Sequence, residues 1–193
     1  MALMSLTKSQ GKLLLALAKA SIEQGFATGK PVKPQRGHYP PELWVKRATF
    51  VTLERRLQLR GCIGMLEAIR PLVEDVAENA FSAAFRDPRF PALGRDELDG
   101  LELHISVLSP AEALSFDSEQ ALIAQLRPGV DGLIIEAGAR RGTFLPSVWD
   151  SLPEPAQFLA HLKQKAGLMP DYWSDTLTVS RYSTQMFKSS ELA

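Results

Sequence analysis

The sequence predicts an α+β protein in which antiparallel or mixed sheets are flanked by helices. Apolar and polar residues alternate from Leu101 to Val107, which is typical of a half-buried strand. Apolar residues recur at helical spacing over residues 7–25 and 71–86, as expected for amphipathic helices. Short turns separate the strand-like segments, so hairpins rather than repeated βαβ units are expected to connect most strands.

The composition is typical of a globular chain. Of the 193 residues, 45% are hydrophobic and 23% are charged, which argues against disordered and fibrous proteins. This length suits a single domain spanning residues 1–193, or two small lobes within it. The formal net charge is zero, so the chain has no general electrostatic attraction to nucleic acids or acidic membranes.

Cysteine usage and hydropathy indicate the expected compartment. Cys62 is the only cysteine, which excludes an intramolecular disulfide and favours a reducing compartment. The early apolar run Leu13–Ala18 lies between Lys12 and Lys19. It is too short to span a bilayer and lacks a signal-peptide cleavage pattern. We therefore expect a soluble cytoplasmic protein without a membrane segment.

The first third of the chain predicts a helix, a loop and a hairpin. Thr7-Lys8-Ser9-Gln10 has the form of a capping box, and the helix that follows is expected to stop at Gly25. Residues 29–41 contain four prolines and predict an extended loop. Residues 48–53 and 57–59 predict a hairpin that turns around Arg55-Arg56 and leads to Cys62.

The remainder alternates helices, turns and strands. Pro71 is expected to be the first residue of a helix that ends near Arg86. The two prolines of Asp87–Pro91 predict a rigid turn, and a strand follows over residues 101–107. The later elements are a helix over 118–126, a strand over 133–136, a turn at 140–142, a returning strand over 143–146, a helix over about 155–166 stopped by Gly167, and a final strand over about 176–182.

Cys62 is the most suggestive residue, because Gly61 and Gly64 frame it together with Ile63. Glycines in a strand mark a bulge, a turn or a close approach by another backbone or a ligand. A nearby Arg60 would favour the thiolate of a nucleophilic or metal-binding cysteine. The alternative is that the cysteine is buried, as free cysteines often are, and that the glycines make room for a facing helix. Both interpretations stay open.

A nucleophilic cysteine normally needs a base, and the histidines are His38, His104 and His161. His104 lies on the polar side of its strand and could approach Cys62 across the sheet, although a structural or solvated imidazole is the plainer interpretation. No histidine has metal-ligand spacing, and no glycine-rich phosphate loop is present. The sequence therefore predicts neither a metal site nor a cofactor.

Asp87 and Arg89 bracket Pro88 on the predicted rigid turn. Together they could present a carboxylate and a guanidinium to a polar ligand. Alternatively, Asp87 caps nearby amides and Arg89 forms a salt bridge with a neighbour.

Several segments, in the same order along nearly the whole chain, resemble the AMMECR domain family. The string Leu59-Arg60-Gly61-Cys62-Ile63-Gly64 matches the family's hallmark without a departure. The other matching segments are residues 50–53, residues 83–90, Gly132 with its apolar strand, residues 143–146 and residues 165–167.

The bacterial branch looks most similar, in particular the A component of the AmmeMemoRadiSam trio, whose other members resemble a Memo-type and a radical-SAM protein. The resemblance implies two unequal lobes, each with antiparallel sheet, and a cleft between them to which the hallmark contributes. It implies no established substrate, cofactor or catalytic role. The cleft candidates that it implies are Arg60, Gly61, Cys62, Ile63, Gly64, Asp87 and Arg89.

We therefore expect a binding or accessory component that works with Memo-like and radical-SAM proteins through a cleft formed by Leu59 to Gly64. Its ligand would be a small molecule or a protein. The alternative is a cysteine-dependent enzyme that uses Cys62 as a nucleophile or redox thiol. A weaker alternative is a nucleic-acid-binding module, which would depend on residues 1–60 with their eleven Lys and Arg against three Asp and Glu.

Overall fold

The computed structural model of the chain describes residues 5–192, which divide into two compact units. Unit 1 contains the described residues up to Leu108 and from Gln185 onward, and unit 2 contains residues 109–184. Each unit holds one antiparallel four-stranded sheet, which confirms the predicted α+β class.

The helices are α1 (Lys8–Thr28), α2 (Leu72–Phe85), α3 (Glu119–Ile123), α4 (Pro155–Lys165) and α5 (Ser189–Leu192), with short 3-10 helices at residues 41–44, 95–97 and 146–150. The strands are β1 (Thr49–Arg55), β2 (Gln58–Gly64), β3 (Leu101–Leu108), β4 (Glu112–Ala113), β5 (Gly132–Ala137), β6 (Arg140–Phe144), β7 (Thr178–Tyr182) and β8 (Thr184–Lys188).

The first helix begins as the sequence predicts but ends later. The Thr7 hydroxyl accepts from the Gln10 amide at 3.2 Å, and the Gln10 side chain accepts from the Thr7 amide at 2.8 Å. The predicted stop at Gly25 is wrong, because α1 continues to Thr28 and ends at Gly29, whose φ is +66°. A Cβ at Gly25 would lie 2.3 Å from the Phe85 ring. The absence of a side chain at Gly25 therefore allows α1 and α2 to pack closely.

The sheet of unit 1 has the strand order β2-β1-β3-β8. The predicted hairpin is confirmed, but its turn lies at Arg56 and Leu57, whose φ angles of +52° and +62° match a two-residue type I′ turn. Helix α2 begins just after Pro71, one residue later than predicted. The sequence did not predict β8, because only Ser183 separates it from β7 and no glycine or proline marks a break between the two strands.

Helices α1 and α2 cover one face of this sheet. Alternate residues of β1 and β3, including Val51, Leu53 and Ile105, point into this helix-covered side and are buried. The residues between them point to the opposite side, which we call the polar face. Cross-strand pairing aligns the polar-face residues Cys62, Thr52 and His104. The polar face therefore contains the one cysteine and a histidine.

Unit 2 has the strand order β4-β7-β5-β6. Its core is built on Phe158 of α4, which stacks on Trp149 at 3.7 Å between ring centroids. The predicted turn at residues 140–142 is wrong, because those residues already pair with β5. The chain turns at Gly138 and Ala139 instead, where the positive φ of +60° at Gly138 suits glycine. Helix α4 ends before Gly167, as predicted.

Among residues 5–192, no helix combines the length and the apolar character that a bilayer crossing needs.

Candidate functional site

Cys62 lies in the middle of β2 and is only partly buried. Its side chain faces the same side as Thr52, its partner across the β1–β2 pair. The Thr52 hydroxyl donates a hydrogen bond to the Cys62 sulfur at 3.2 Å. The sulfur is therefore not sealed in the helix-covered core, and one neighbouring hydroxyl fixes its position.

The turn after α2 covers the outer edge of β2. The Cys62 amide donates to the Asp87 carboxylate at 2.9 Å, and the Cys62 carbonyl accepts from the Arg89 guanidinium at 3.1 Å. In an antiparallel ladder, alternate residues direct both backbone groups away from the neighbouring strand. Asp87 and Arg89 thus occupy the place where the next strand would bind, and we call this arrangement the edge clamp.

Asp87 is the central group of the edge clamp, and its side chain is only 2% exposed. One carboxylate oxygen accepts from the Arg89 amide and side-chain Nε, and the other accepts from Arg89 Nη2 and the Cys62 amide. The Arg89 guanidinium, assisted by the Cys62 and Arg89 amides and opposed by burial, holds the pKa of Asp87 well below its ordinary value. Asp87 is therefore a fixed anion, and its lone pairs are already engaged.

Arg60 of β2 binds a second part of the chain that follows α2. Its side chain makes a bidentate pair with Glu97, at 2.7 and 2.8 Å, and donates to the Pro91 carbonyl at 3.1 Å. The Arg60 hydrogen bond is the main reason that the pKa of Glu97 falls to about 2. The pairing register shifts between Leu53 and Glu54 so that Arg60 has no strand partner, which is a β-bulge. This bulge lets Arg60 reach the 91–97 segment.

The glycines of the hallmark segment permit close backbone contact. A Cβ at Gly61 would lie 2.2 Å from the Ala83 carbonyl oxygen of α2, and one at Gly64 would lie 2.3 Å from the Thr49 carbonyl oxygen. Ile63 packs against the core of unit 1. The interpretation that the glycines make room for a facing helix therefore describes Gly61, whereas the cysteine between them faces the other way.

The structure brings the seven predicted site residues together around β2, although they differ in exposure. The side chains of Asp87 and Arg60 are 2% and 13% exposed, while that of Arg89 is 54% exposed. Cys62 is thus a half-buried member of the site, and Arg89 is its most exposed charged side chain. Thr52 and Glu97 also belong to this site, but the sequence did not single them out, because their partners lie 10 and 37 positions away.

His104 does not contact Cys62 directly. Both residues are aligned with Thr52, which lies on the strand between them, so their backbones are about 10 Å apart. The His104 ring faces two carboxylates instead: Nδ1 lies 3.7 Å from Glu54 and Nε2 lies 3.2 Å from Glu102. His161 lies on α4 of unit 2, where its ring contacts the Gln157 carbonyl.

Comparisons with known proteins agree over nearly the whole chain. The AMMECR1 family model matches residues 15–187. A protein of Methanothermobacter thermautotrophicus is 39% identical over 188 residues, covering 94% of this chain and 95% of its own length. A Thermococcus onnurineus protein is 41% identical, with coverages of 92% and 89%. The crystal structure of the uncharacterized protein PH0010 from Pyrococcus horikoshii superposes with a TM-score of 0.87 at 37% identity, covering 95% of this chain and 93% of that chain.

Proposed function

Because the chain belongs to the AMMECR1 family, we propose that it is a binding or accessory component that recognises its ligand through the segment Leu59 to Gly64. One observation supports this proposal most directly. The polar atoms of Arg60 and Asp87 are engaged in hydrogen bonds to Glu97, Cys62 and Arg89, and these bonds hold β2 in place. A recognition surface gains from such rigidity, because less conformational entropy is lost on binding. General acid or base catalysis needs a group that can exchange a proton, and Asp87 is a fully bonded anion.

The members of the site divide into contact and supporting residues in this proposal. Cys62 and Arg89 are the contact residues, because the sulfur lies on the polar face and the Arg89 side chain is more than half exposed. Arg89 Nη1 takes no part in the bonds to Asp87 and Cys62, so it can donate to a carboxylate or phosphate group of the ligand. The supporting residues hold β2 in place. Asp87 and Arg60 do so through hydrogen bonds, Gly61 and Gly64 through close backbone contacts with Ala83 and Thr49, and Ile63 through packing against the core of unit 1.

The proposed partners are a Memo-like protein and a radical-SAM protein, which follow from the similarity to the bacterial AmmeMemoRadiSam branch. A cytoplasmic location belongs to the same proposal, since a single cysteine suits a reducing compartment.

Partner binding can be tested with purified proteins and a blocking substitution. Cys62→Phe enlarges a half-buried side chain on the proposed surface, while Ser115→Phe adds the same ring at an exposed position of unit 2. We expect calorimetry to detect binding of the wild-type chain to at least one of the two partners. Cys62→Phe should weaken it at least about tenfold, in line with a lost interface contact.

The matched arginine pair is Arg89→Ala against Arg86→Ala, since Arg86 is exposed in the same turn region and pairs with Glu78 instead. Only Arg89→Ala should weaken binding. Wild-type affinity in both Cys62→Phe and Arg89→Ala, with thermal unfolding showing folded protein, would contradict the proposed surface.

A cysteine-dependent enzyme is the second candidate, and the Thr52 hydroxyl at 3.2 Å from the sulfur favours it. Since Cys62 is the only cysteine, every alkylation event reports on this thiol. We expect a nucleophilic Cys62 to react with iodoacetamide faster in the folded chain than in the urea-unfolded chain across pH 6 to 9. Slower reaction in the folded chain throughout that range would eliminate this candidate.

A further inference from the structure

Three metal-ligating side chains meet on the polar face of unit 1. Glu54 of β1 lies directly opposite Glu102 of β3, and His104 follows two residues later on the same side of β3. One ligand atom from each of the three residues lies within 4.8 Å of the other two. The group therefore combines two carboxylates and one imidazole that are close enough for a single cation to bind all three.

The imidazole contributes an independent sign of a missing ligand. His104 Nε2 is sealed from solvent and makes no hydrogen bond with any residue in the range 5–192. It lies 3.2 Å from a Glu102 oxygen, close enough for an ion pair, but it makes no well-formed hydrogen bond there. A buried nitrogen whose hydrogen bond is poorly formed is costly. A metal ion between the imidazole and the carboxylate would satisfy the nitrogen lone pair.

We propose that Glu54, Glu102 and His104 bind a divalent first-row transition-metal ion such as Zn²⁺. Mixed nitrogen and oxygen ligands suit this class of ion. Two carboxylates balance the charge of the ion when the imidazole is neutral. Tetrahedral Zn²⁺ with ligand distances of roughly 2.1 Å places its ligand atoms about 3.4 Å apart. Glu102 and His104 are already 3.2 Å apart, so only the longer separations, which reach 4.8 Å at most, would need to shorten, by up to about 1.4 Å.

The surrounding charges limit the affinity without preventing binding. The Ser190 hydroxyl donates to Glu102, and this bond holds one carboxylate oxygen in place. Lys188 of β8 also acts on Glu102 and opposes a cation, although its own ammonium lies 3.6 Å from Glu191. We therefore expect a single site that is weaker than a structural zinc site.

The test is a titration of the full chain with Zn²⁺ by calorimetry and with Co²⁺ by visible absorption. We expect one ion to bind per chain, with a Co²⁺ spectrum typical of nitrogen and oxygen ligands. His104→Ala should weaken Zn²⁺ binding at least about tenfold, and Glu54→Gln should do so independently. Circular dichroism and thermal unfolding identify any variant that fails to fold, in which case the other variant decides.

The matched controls are His161→Ala, an exposed histidine of unit 2, and Cys62→Ala. Both should bind Zn²⁺ like the wild type. No binding of either ion at millimolar concentration, or unchanged binding in folded His104→Ala and Glu54→Gln, would overturn the metal site. The titration uses the isolated chain, so its outcome is independent of whether the hallmark segment binds a partner protein.

Discussion

At the scale of single residues, Asp87 is the side chain on which the edge clamp depends. It joins the amide of β2 to the guanidinium and amide of the turn after α2. A carboxylate in this position supports two elements at once, because its oxygens accept from both. The sequence predicted the two uses of Asp87 and Arg89 as alternatives, capping or ligand orientation. The bonds show the capping and the internal ion pair, while more than half of the Arg89 side chain stays accessible.

The substitution Asp87→Asn should lower the free energy of unfolding by about 2 kcal/mol, because it weakens charge-assisted hydrogen bonds at a buried site. Urea unfolding followed by circular dichroism measures this change. Asp99→Asn at an exposed position is the matched control and should change stability by less than about 0.5 kcal/mol. Equal effects of the two substitutions would show that the edge clamp contributes little to stability.

The stability of the protein at acid pH should depend on Asp87 and Glu97, because both have a lowered pKa in the folded state. The folded-state pKa of Asp87 lies below its ordinary value, and that of Glu97 falls to about 2 from an ordinary value of 4.5. The unfolded chain therefore binds protons first as the solution is acidified. Stability from these groups is present above about pH 5 and is lost progressively as the pH falls toward 2.

The measurement is the thermal midpoint between pH 7 and pH 3 for the wild type and for Glu97→Gln. The variant should start lower at pH 7 and lose less on acidification. The comparison is needed because burial raises the pKa of Asp75, which acts in the opposite direction in both proteins. Parallel curves for the two proteins would contradict the role of Glu97.

At the scale of elements, the packing of β2 against α2 depends on the missing side chain of Gly61. We expect Gly61→Ala to lower the free energy of unfolding by about 3 kcal/mol, because the new Cβ meets the backbone oxygen of Ala83, which cannot rotate away. Gly29→Ala is the comparison. Its Cβ would meet open space, but the φ of +66° costs about 1 kcal/mol. An equal or smaller loss in Gly61→Ala would mean that α2 moves away at little cost.

The elements also show which parts of the fold the sequence could predict. Periodicity predicted α1, α2 and β3, because each has one face buried over several turns or residues. Glycine was a less reliable signal: Gly25 lies within a helix to make room for Phe85, while Gly138, and not residues 140–142, forms the hairpin turn. Local sequence does not distinguish a glycine needed for backbone conformation from one needed for space.

The same limit applies to the candidate site. The hallmark string identified Cys62 and its neighbours, but the partners that fix or surround it come from other strands and loops. Glu97 pairs with Arg60 across 37 positions, and Glu54 meets His104 only because β1 pairs with β3. Strand register creates these contacts, and the spacing of residues along the chain does not contain them.

At the scale of the whole molecule, unit 1 is discontinuous, because unit 2 occupies residues 109–184, which separate β3 from all but the first residue of β8. The chain leaves and re-enters at adjacent points: the Ser109 amide donates to the Ser183 carbonyl at 2.8 Å, and the Ser183 amide donates to the Ser109 hydroxyl at 2.9 Å. A short linker should therefore be able to replace the whole of unit 2.

We expect a variant in which a short Gly-Ser linker replaces residues 109–184 to fold, since the core of unit 1 uses residues from its own two segments. Circular dichroism should show the α1 and α2 helices, and thermal unfolding should remain cooperative. The isolated segment 109–184 is the reciprocal variant. A replacement variant that lacks cooperative unfolding would show that unit 1 needs unit 2 to fold.

The place of β8 after the inserted unit also has a consequence for synthesis on the ribosome. The fourth strand of the first sheet leaves the exit tunnel only after the whole inserted unit has been translated. Contacts within residues 109–184 are complete earlier, so the inserted unit is able to fold while the N-terminal segment still waits for its last strand. The order of folding during translation is therefore expected to reverse the order of the two units along the chain.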